Sequence, residues 1–182
     1  AYSQHYGIGW LSGAIRVYLK KFHNRADITM VPTAMLQQEL QAKGFERVHV
    51  VPRGVDTSQF SPSYRSLALR EKWGVTPTDK VLLYVGRLAA EKNLGLVVQA
   101  YLKAKQQDSR LRMVLVGDGP MRAVLEKDNP EVIFAGFQTG KSLAQHYASA
   151  DIFLFASQTE TFGNVTLEAM ASRLAIVFGR SP

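Results

Sequence analysis

From Lys80 onward the chain alternates strictly between short apolar runs and longer amphipathic segments. The apolar runs are continuous, as expected for strands that are buried on both faces of a parallel sheet. This alternation predicts an α/β fold with a doubly wound parallel sheet. The predicted strands are Val81–Val85, Arg112–Val116, Val132–Ala135, Ile152–Phe155 and Ala175–Phe178, and the predicted helices are Leu94–Gln106, Met121–Lys127, Lys141–Ala148 and Asn164–Ala171.

The preceding part of the chain is organised differently. Residues 28–31 and 48–51 predict short strands, and Thr33 is placed to cap a helix that ends near Gly44. Proline and glycine are dense between residues 52 and 62, which is typical of a connection between domains. We therefore expect two domains, residues 1–56 and 57–182, with a helix over residues 64–73 opening the second.

Charge and composition narrow the function classes. The chain has no cysteine, which excludes disulfides, thiolate metal sites and cysteine nucleophiles, and it has no apolar run long enough to span a membrane. Residues 1–72 hold ten Lys/Arg and five Asp/Glu, a net charge of +5, against +2 for the remainder (twelve against ten). An anionic partner and ordinary solvated charge explain this excess equally well.

A basic amphipathic helix is predicted near the start of the chain. Leu11, Ile15, Tyr18 and Phe22 recur at helical spacing, with arginine and lysine on the other faces. Such a helix either packs on its own domain or lies on an anionic membrane. The expected location is cytoplasmic, and a peripheral contact at the inner face of the membrane is left open.

Two carboxylates bracket the turn after the strand that ends at Phe155. Glu160 lies in the loop, and Glu168 lies about one turn inside the next helix. Ligands of open α/β sheets bind at this edge, where a helix start offers free N–H groups to an anion. A carboxylate repels phosphate but accepts hydrogen bonds from sugar hydroxyls. The pair therefore predicts a nucleotide-sugar site, with a surface loop and helix as the simpler alternative.

Further candidates follow the first three strands of the predicted sheet. Gly86, Arg87 and Lys92 follow the first strand and would bring two positive charges to the same edge. Gly117 opens a Gly-Asp-Gly-Pro turn, which lacks the third glycine of a dinucleotide fingerprint. Phe137 follows the third strand and either borders a ligand or anchors the loop.

These motifs together resemble retaining GT-B glycosyltransferases of family 4. The resemblance rests on the E-x7-E pair Glu160 and Glu168, the run G-R-L-x-x-E-K-N from Gly86, the G-x-G-P turn from Gly117, and the linker from Arg53 to Pro62. It implies a GT-B type fold whose nucleotide-sugar-binding, C-terminal Rossmann-like domain is incomplete. The tail of the N-terminal, acceptor-side domain would precede it.

The resemblance also implies roles for single residues. Glu168 would bind the ribose hydroxyls, Glu160 the hydroxyls of the donor sugar, and Arg87 and Lys92 the leaving diphosphate. The backbone of Phe162, Gly163 and Asn164 would meet sugar or phosphate, Gly86 and Gly117 would lie beside the nucleotide, and Phe137 would border the base. Glu91 is expected to be structural.

No metal or resident cofactor is expected. The histidines have no visible partner for a metal site, and the Asp-x-Asp clamp of the other major glycosyltransferase fold is absent from the sequence. Arg87 and Lys92 would supply the positive charge instead. His146 is expected at the helix surface, and Asp151 is expected to be a structural cap.

The implied activity is hexosyl transfer with retention. The run from Gln4 to Trp10 and the Arg53–Asp56 stretch resemble bacterial mannosyltransferases that use GDP-mannose and lipid or glycan acceptors. Arg173 stands where the family commonly has glycine, and we expect a fragment that transfers little. The alternatives are a UDP-glucose-type hexosyltransferase, a nicotinamide-dependent oxidoreductase and a non-catalytic module that binds a nucleotide, a membrane or, against expectation, a nucleic acid.

Overall fold

A computed structural model describes residues 12–52, 54–156 and 163–179. The chain divides into two compact units after Gly54. Arg53, at which the predicted interdomain motif begins, lies outside the described residues. The nature of the two domains, one on the acceptor side and one that binds the nucleotide sugar, stays a prediction.

The first unit contains two helices and a pair of short parallel strands. Its described elements are α1 (Ser12–His23), β1 (Thr29–Val31), α2 (Ala34–Ala42) and β2 (Val48–Val50), with β1 and β2 paired in parallel. The Thr33 hydroxyl accepts a hydrogen bond from the Leu36 N–H at 3.2 Å and so caps α2, as predicted. Gly44 follows the helix at a φ of 80°, as expected of a glycine that ends a helix.

The second unit is built on a five-stranded parallel sheet. The strands are β3 (Lys80–Val85), β4 (Leu111–Val116), β5 (Ile133–Gly136), β6 (Ile152–Phe155) and β7 (Ala175–Phe178), and the helices are α3 (Leu67–Lys72), α4 (Leu94–Gln107), α5 (Arg122–Asp128), α6 (Gly140–Ser149) and α7 (Asn164–Ala171). The strand order is β5-β4-β3-β6-β7, with every pairing parallel. The predicted doubly wound sheet is confirmed, and the direction of winding reverses between β3 and β6.

Helices cover both faces of this sheet. Successive residues of a strand point to opposite faces, so Val81 and Leu83 contribute to one core cluster and Leu82 and Tyr84 to the other. The first cluster is completed from α6 and α7, and the second from α4 and α5. The continuous apolar strands of the sequence are thus explained by burial on two sides.

The predicted helix over residues 64–73 is wrong at its start. A short 3₁₀ turn occupies Pro62–Tyr64, and α3 begins only at Leu67. The reason is a capping residue, because the Ser66 hydroxyl accepts a hydrogen bond from the Leu69 N–H at 3.2 Å. Gly74 follows the helix, as predicted.

His146 is buried rather than exposed, which corrects the sequence-based prediction. Only 5% of the residue is accessible, its ring packs against Trp73 at 5.5 Å, and its Nδ1 is 2.7 Å from the Ser142 carbonyl oxygen. Burial lowers the pKa of His146, which favours the neutral imidazole.

Asp151 has the structural role that the sequence predicts. Its carboxylate accepts hydrogen bonds from the Val81 N–H at 2.9 Å and from the guanidinium groups of Arg65 and Arg70 at 3.1 and 3.2 Å. Burial alone would raise the pKa of Asp151, but these donors outweigh it and the pKa is lowered. The ionised carboxylate therefore ties the start of β6 to β3 and to α3.

Arg173 ends α7 in the conformation that glycine adopts most easily. Its φ is 63°, its N–H donates to the Met170 carbonyl at 2.9 Å, and the Leu174 N–H donates to the Ala169 carbonyl at 3.0 Å. This pair of bonds is a Schellman motif with Arg173 at the left-handed position. Arg173 therefore carries backbone strain at this position.

We expect Arg173→Gly to raise the free energy of unfolding by about 0.5–1 kcal/mol, because relief of the left-handed strain exceeds the entropy cost of glycine. The measurement is urea denaturation with an unchanged m-value. Arg173→Ala is the matched control, since it removes the charge but retains the Cβ. Equal effects of the two substitutions would contradict the strain explanation.

Candidate functional site

A cleft of about 490 Å³ opens at the carboxyl edge of the large sheet. We call it the larger cleft. Its walls come from the ends of β3, β4 and β5 and from α6 and α7. The residues that line it are Val85, Gly86, Arg87, Val116, Gly117, Asp118, Phe137, Gln138, Leu143, Val165 and Glu168. This is the edge at which open α/β sheets bind their ligands.

Backbone hydrogen bonds join the three loops that form the floor of the larger cleft. The Gly86 N–H donates to the Val116 carbonyl at 3.0 Å, and the Gly117 N–H donates to the Gly136 carbonyl at 2.8 Å. The Leu88 N–H donates to the Asp118 carbonyl at 2.9 Å. The loops therefore form one cross-linked surface rather than three independent segments.

Gly117 is required by this packing. Its φ is 135°, and a Cβ at this position would lie 1.9 Å from the Gly86 carbonyl oxygen. Such a contact is impossible without moving the backbone. Close approach of two loops is thus sufficient to explain the glycine, whether or not a ligand also approaches it.

Arg87 and Lys92 lie beyond the carboxyl end of β3, as their positions in the sequence suggest. Arg87 lines the larger cleft, and both cations line a smaller cleft of about 270 Å³ that also contacts Phe155 and Val165. The Arg87 side chain is 64% exposed, with Glu91 at 3.9 Å. The smaller cleft lies at the ends of β3 and β6, where the winding of the sheet reverses.

Glu168 reaches the larger cleft from the second turn of α7. Its Oε2 accepts a hydrogen bond from the Tyr147 hydroxyl at 2.8 Å. Burial raises the pKa of Glu168, and the hydrogen bond from Tyr147 opposes that shift. Glu168 is therefore a half-buried carboxylate that faces a cavity, which is typical of functional sites.

Of the other predicted site residues, Phe137, Gly163 and Asn164 lie in the described part of the chain. Phe137 lies on the wall of the larger cleft with 74% of its surface exposed. Gly163 has a φ of 59° and directly precedes α7, which begins at Asn164. The Asn164 Oδ1 is buried and has no hydrogen-bond partner among the described residues. Glu160 and Phe162 lie outside the described residues, so their predicted roles stay predictions.

The structure thus brings five predicted residues together at one cleft, namely Gly86, Arg87, Gly117, Phe137 and Glu168, and it places Lys92 at the adjoining one. Sequence reasoning missed Tyr147, the partner of Glu168. No motif could reveal it, because in the sequence Tyr147 is an apolar position of a helix 21 residues before the carboxylate. It also missed Val165, which lines both clefts.

Comparison with known proteins places this arrangement in a family. The pattern of the family described as "Glycosyl transferases group 1" matches residues 79–182, which include both clefts and α7. The pattern described as "Glycosyltransferase Family 4" matches residues 1–59.

Curated relatives are similar over nearly the whole chain. A GDP-mannose-dependent alpha-mannosyltransferase of Mycobacterium tuberculosis is 37% identical over 97% of this chain and 45% of its own length. A Corynebacterium glutamicum protein of the same name is 36% identical over 99% of this chain and 42% of its own length. The sulfoquinovosyl transferase SQD2 of Arabidopsis thaliana is 34% identical over 99% of this chain. The chain therefore spans less than half the length of the curated mannosyltransferases that it matches.

Solved structures share the fold. The crystal structure of HepE from Anabaena in complex with UDP-glucose superposes with a TM-score of 0.75 at 24% identity, covering 92% of this chain and 49% of that one. WaaG, a glycosyltransferase involved in lipopolysaccharide biosynthesis, superposes with a TM-score of 0.68 at 21% identity over 82% of this chain and 43% of that one. The fold is of the GT-B type, and the chain belongs to the glycosyl transferases group 1 family.

Proposed function

We propose that this chain binds the nucleotide-sugar donor of a retaining hexosyltransferase, with GDP-mannose as the donor and a lipid or glycan as the acceptor. The observation that carries the proposal is the half-buried Glu168 carboxylate in a cleft that also contains Arg87. A cleft with both a hydroxyl-binding carboxylate and a cation suits a ligand that has both hydroxyls and phosphates. Relatives named GDP-mannose-dependent alpha-mannosyltransferase support the choice of donor.

In this proposal the two clefts divide the donor between them. Glu168 in the larger cleft accepts hydrogen bonds from the ribose hydroxyls, and the wall near Phe137 borders the base. Arg87 and Lys92 hold the diphosphate at the smaller cleft, where α7 begins nearby and its first N–H groups favour an anion. The two cations supply the positive charge, so we propose that the reaction requires no metal.

The proposed chemistry is a displacement on one face of the sugar. The bond between the anomeric carbon and the β-phosphate oxygen breaks, and the acceptor oxygen bonds to that carbon. The acceptor proton passes to an oxygen of the departing diphosphate, so no protein nucleophile is needed. Arg87 and Lys92 stabilise the negative charge that grows on the diphosphate as it leaves.

The test of this proposal is calorimetry of the chain with GDP-mannose, UDP-glucose and NADH, using wild type and Glu168→Gln. Hydrogen bonds to a charged group contribute about 1.5–3 kcal/mol, so Glu168→Gln should lower the affinity for the nucleotide sugar by roughly 10- to 100-fold. Glu71→Gln, which alters an exposed carboxylate of α3, should leave the affinity unchanged.

The loss of affinity in Glu168→Gln should not be accompanied by a loss of stability. Burial raises the pKa of Glu168 in the folded state, so the folded protein favours the protonated carboxyl. At a pH above that pKa the carboxylate is ionised, and its contribution to the free energy of folding is then least favourable. Glu168→Gln should therefore retain or increase thermal stability at neutral pH. Loss of stability together with affinity would indicate a structural role for Glu168.

Three other results would replace the proposal. Binding of UDP-glucose with no affinity for GDP-mannose would favour a UDP-glucose-type hexosyltransferase of the same fold. Binding of NADH alone would favour an oxidoreductase. Absence of nucleotide binding, combined with salt-sensitive binding to DNA or anionic vesicles, would favour a non-catalytic module.

A peripheral contact with an anionic membrane at its inner, cytoplasmic face is a further part of the proposal. Among the described residues, no helix is sufficiently long and apolar to cross a bilayer. Helix α1 exposes Tyr18 and Phe22 beside the cationic Lys21. In a sedimentation assay the chain should pellet with anionic vesicles and stay in the supernatant with zwitterionic vesicles. Equal binding to both kinds of vesicle would contradict the electrostatic contact.

A further inference from the structure

Tyr147 is a buried tyrosine whose hydroxyl contacts Glu168, a residue that lines the larger cleft. It lies on α6, 0% of the residue is accessible, and its hydroxyl donates to the Glu168 Oε2 at 2.8 Å. Tyr147 belongs to a buried core cluster, so its hydroxyl reaches Glu168 from the core. One oxygen of this carboxylate, which lines the larger cleft, therefore has a protein donor.

The position of this hydroxyl is rigidly determined. The Tyr147 ring packs edge-on against Phe60 at 5.6 Å and at a tilt against Phe153 of β6 at 6.0 Å. A tyrosine has two side-chain torsions, and close packing of the ring leaves neither free. The Tyr147 hydroxyl is thus held in place, and its hydrogen bond restrains the longer Glu168 side chain.

The protonation states of Tyr147 and Glu168 are compatible with a hydrogen bond from the hydroxyl to the carboxylate. Burial, the charge of Glu168 and the hydrogen bond all raise the pKa of Tyr147, so its hydroxyl stays protonated and can only donate to the carboxylate. The same hydrogen bond lowers the pKa of Glu168 against the effect of burial. Tyr147 therefore favours the ionised form of a carboxylate whose ionised form burial disfavours.

We propose that Tyr147 is a positioning residue for ribose recognition, whose hydroxyl aims the Glu168 carboxylate at the vicinal 2′- and 3′-hydroxyls of the bound nucleotide. This inference rests on the proposed function. With Oε2 held by Tyr147, the orientation of the carboxylate plane is defined before the nucleotide arrives. Preorganisation of this kind reduces the entropy that binding must overcome.

The experiment measures the preference for ribose over 2′-deoxyribose. The probes are GDP with 2′-deoxy-GDP and UDP with 2′-deoxy-UDP, titrated into wild type and Tyr147→Phe. Wild type should prefer the ribonucleotide by about 10-fold, as expected for a hydrogen bond to a charged acceptor. In Tyr147→Phe this preference should fall to less than about 3-fold, since the carboxylate is no longer aimed.

The ratio of the affinities for the ribonucleotide and the 2′-deoxyribonucleotide distinguishes a positioning role of Tyr147 from a merely structural one. Loss of packing would weaken both members of a nucleotide pair equally and leave their ratio unchanged, and that result would overturn the inference. Tyr101→Phe is the matched control, because the Tyr101 hydroxyl is also buried but has no hydrogen-bond partner in the described part of the chain. It should leave the ratio at the wild-type value.

The remaining outcomes are also decisive. Should wild type bind no nucleoside diphosphate, the proposed function fails and the inference fails with it. If wild type binds but does not distinguish ribose from deoxyribose, the proposed function survives and the inference is wrong. If Tyr147→Phe melts near the assay temperature, the same ratio is measured in the cold with sucrose, which favours the compact state.

Discussion

Replacing Arg87 or Lys92 with alanine should lower the turnover number of the full-length protein by about 10²–10³-fold, equivalent to about 2.7–4 kcal/mol of transition-state stabilisation. The charge of the departing diphosphate grows as the glycosidic bond breaks, so a fixed cation stabilises the transition state more than the ground state. Both residues line the smaller cleft, and Arg87 also lines the larger one that contains Glu168. The measurement is initial-rate kinetics over a range of donor concentrations up to saturation.

Lys103→Ala provides the control for this prediction. Lys103 is an exposed lysine of α4 that lines neither cleft, so its removal changes the net charge equally without touching the site. Near-normal turnover in both Arg87→Ala and Lys92→Ala would remove the diphosphate role from these residues. A rise in the Michaelis constant with unchanged turnover would mean that they bind the donor without stabilising the transition state.

Gly117→Ala should have the largest effect on stability, lowering the free energy of unfolding by roughly 2–6 kcal/mol from backbone strain and overpacking together. A Cβ would lie 1.9 Å from the Gly86 carbonyl oxygen, and a backbone atom cannot rotate away as a side chain can. The loops after β3 and β4 must separate, which disrupts the bond from the Gly86 N–H to the Val116 carbonyl. Urea denaturation measures the loss.

Gly95→Ala is the matched glycine control. Gly95 lies in the first turn of α4. Apart from its chain neighbours and the backbone of its own helix, no atom of the described residues lies within 4 Å of the position that its Cβ would occupy. Alanine there should raise the free energy of unfolding by up to about 1 kcal/mol. If Gly117→Ala proved as stable as wild type, the crowding of these two loops would be disproved.

The sequence was sufficient to predict the sheet. The run from Val81 to Val85 is continuously apolar because β3 is central and covered on both faces, and the structure extends it only by Lys80. The start of a helix was harder to predict where a side-chain hydrogen bond determines it. The helix before Trp73 begins at Leu67 rather than at residue 64, because Ser66 caps it.

The candidate site was predictable where it depends on loop motifs and not where it depends on packing. Gly86 and Arg87 follow β3, and Glu168 lies in the second turn of α7, so topology alone brings them to one edge of the parallel sheet. Tyr147 and His146 are neighbours on α6, and their surroundings come from other elements, namely Glu168 for the first and Trp73 for the second. Periodicity marks positions as apolar but does not identify such partners.

The most direct test of this account is a crystal structure of the chain with GDP-mannose. We expect the ribose hydroxyls within hydrogen-bond distance of the Glu168 carboxylate, with the diphosphate beside Arg87 and Lys92. A nucleotide bound elsewhere on the chain, or bound in the larger cleft with its phosphates against Glu168, would contradict it.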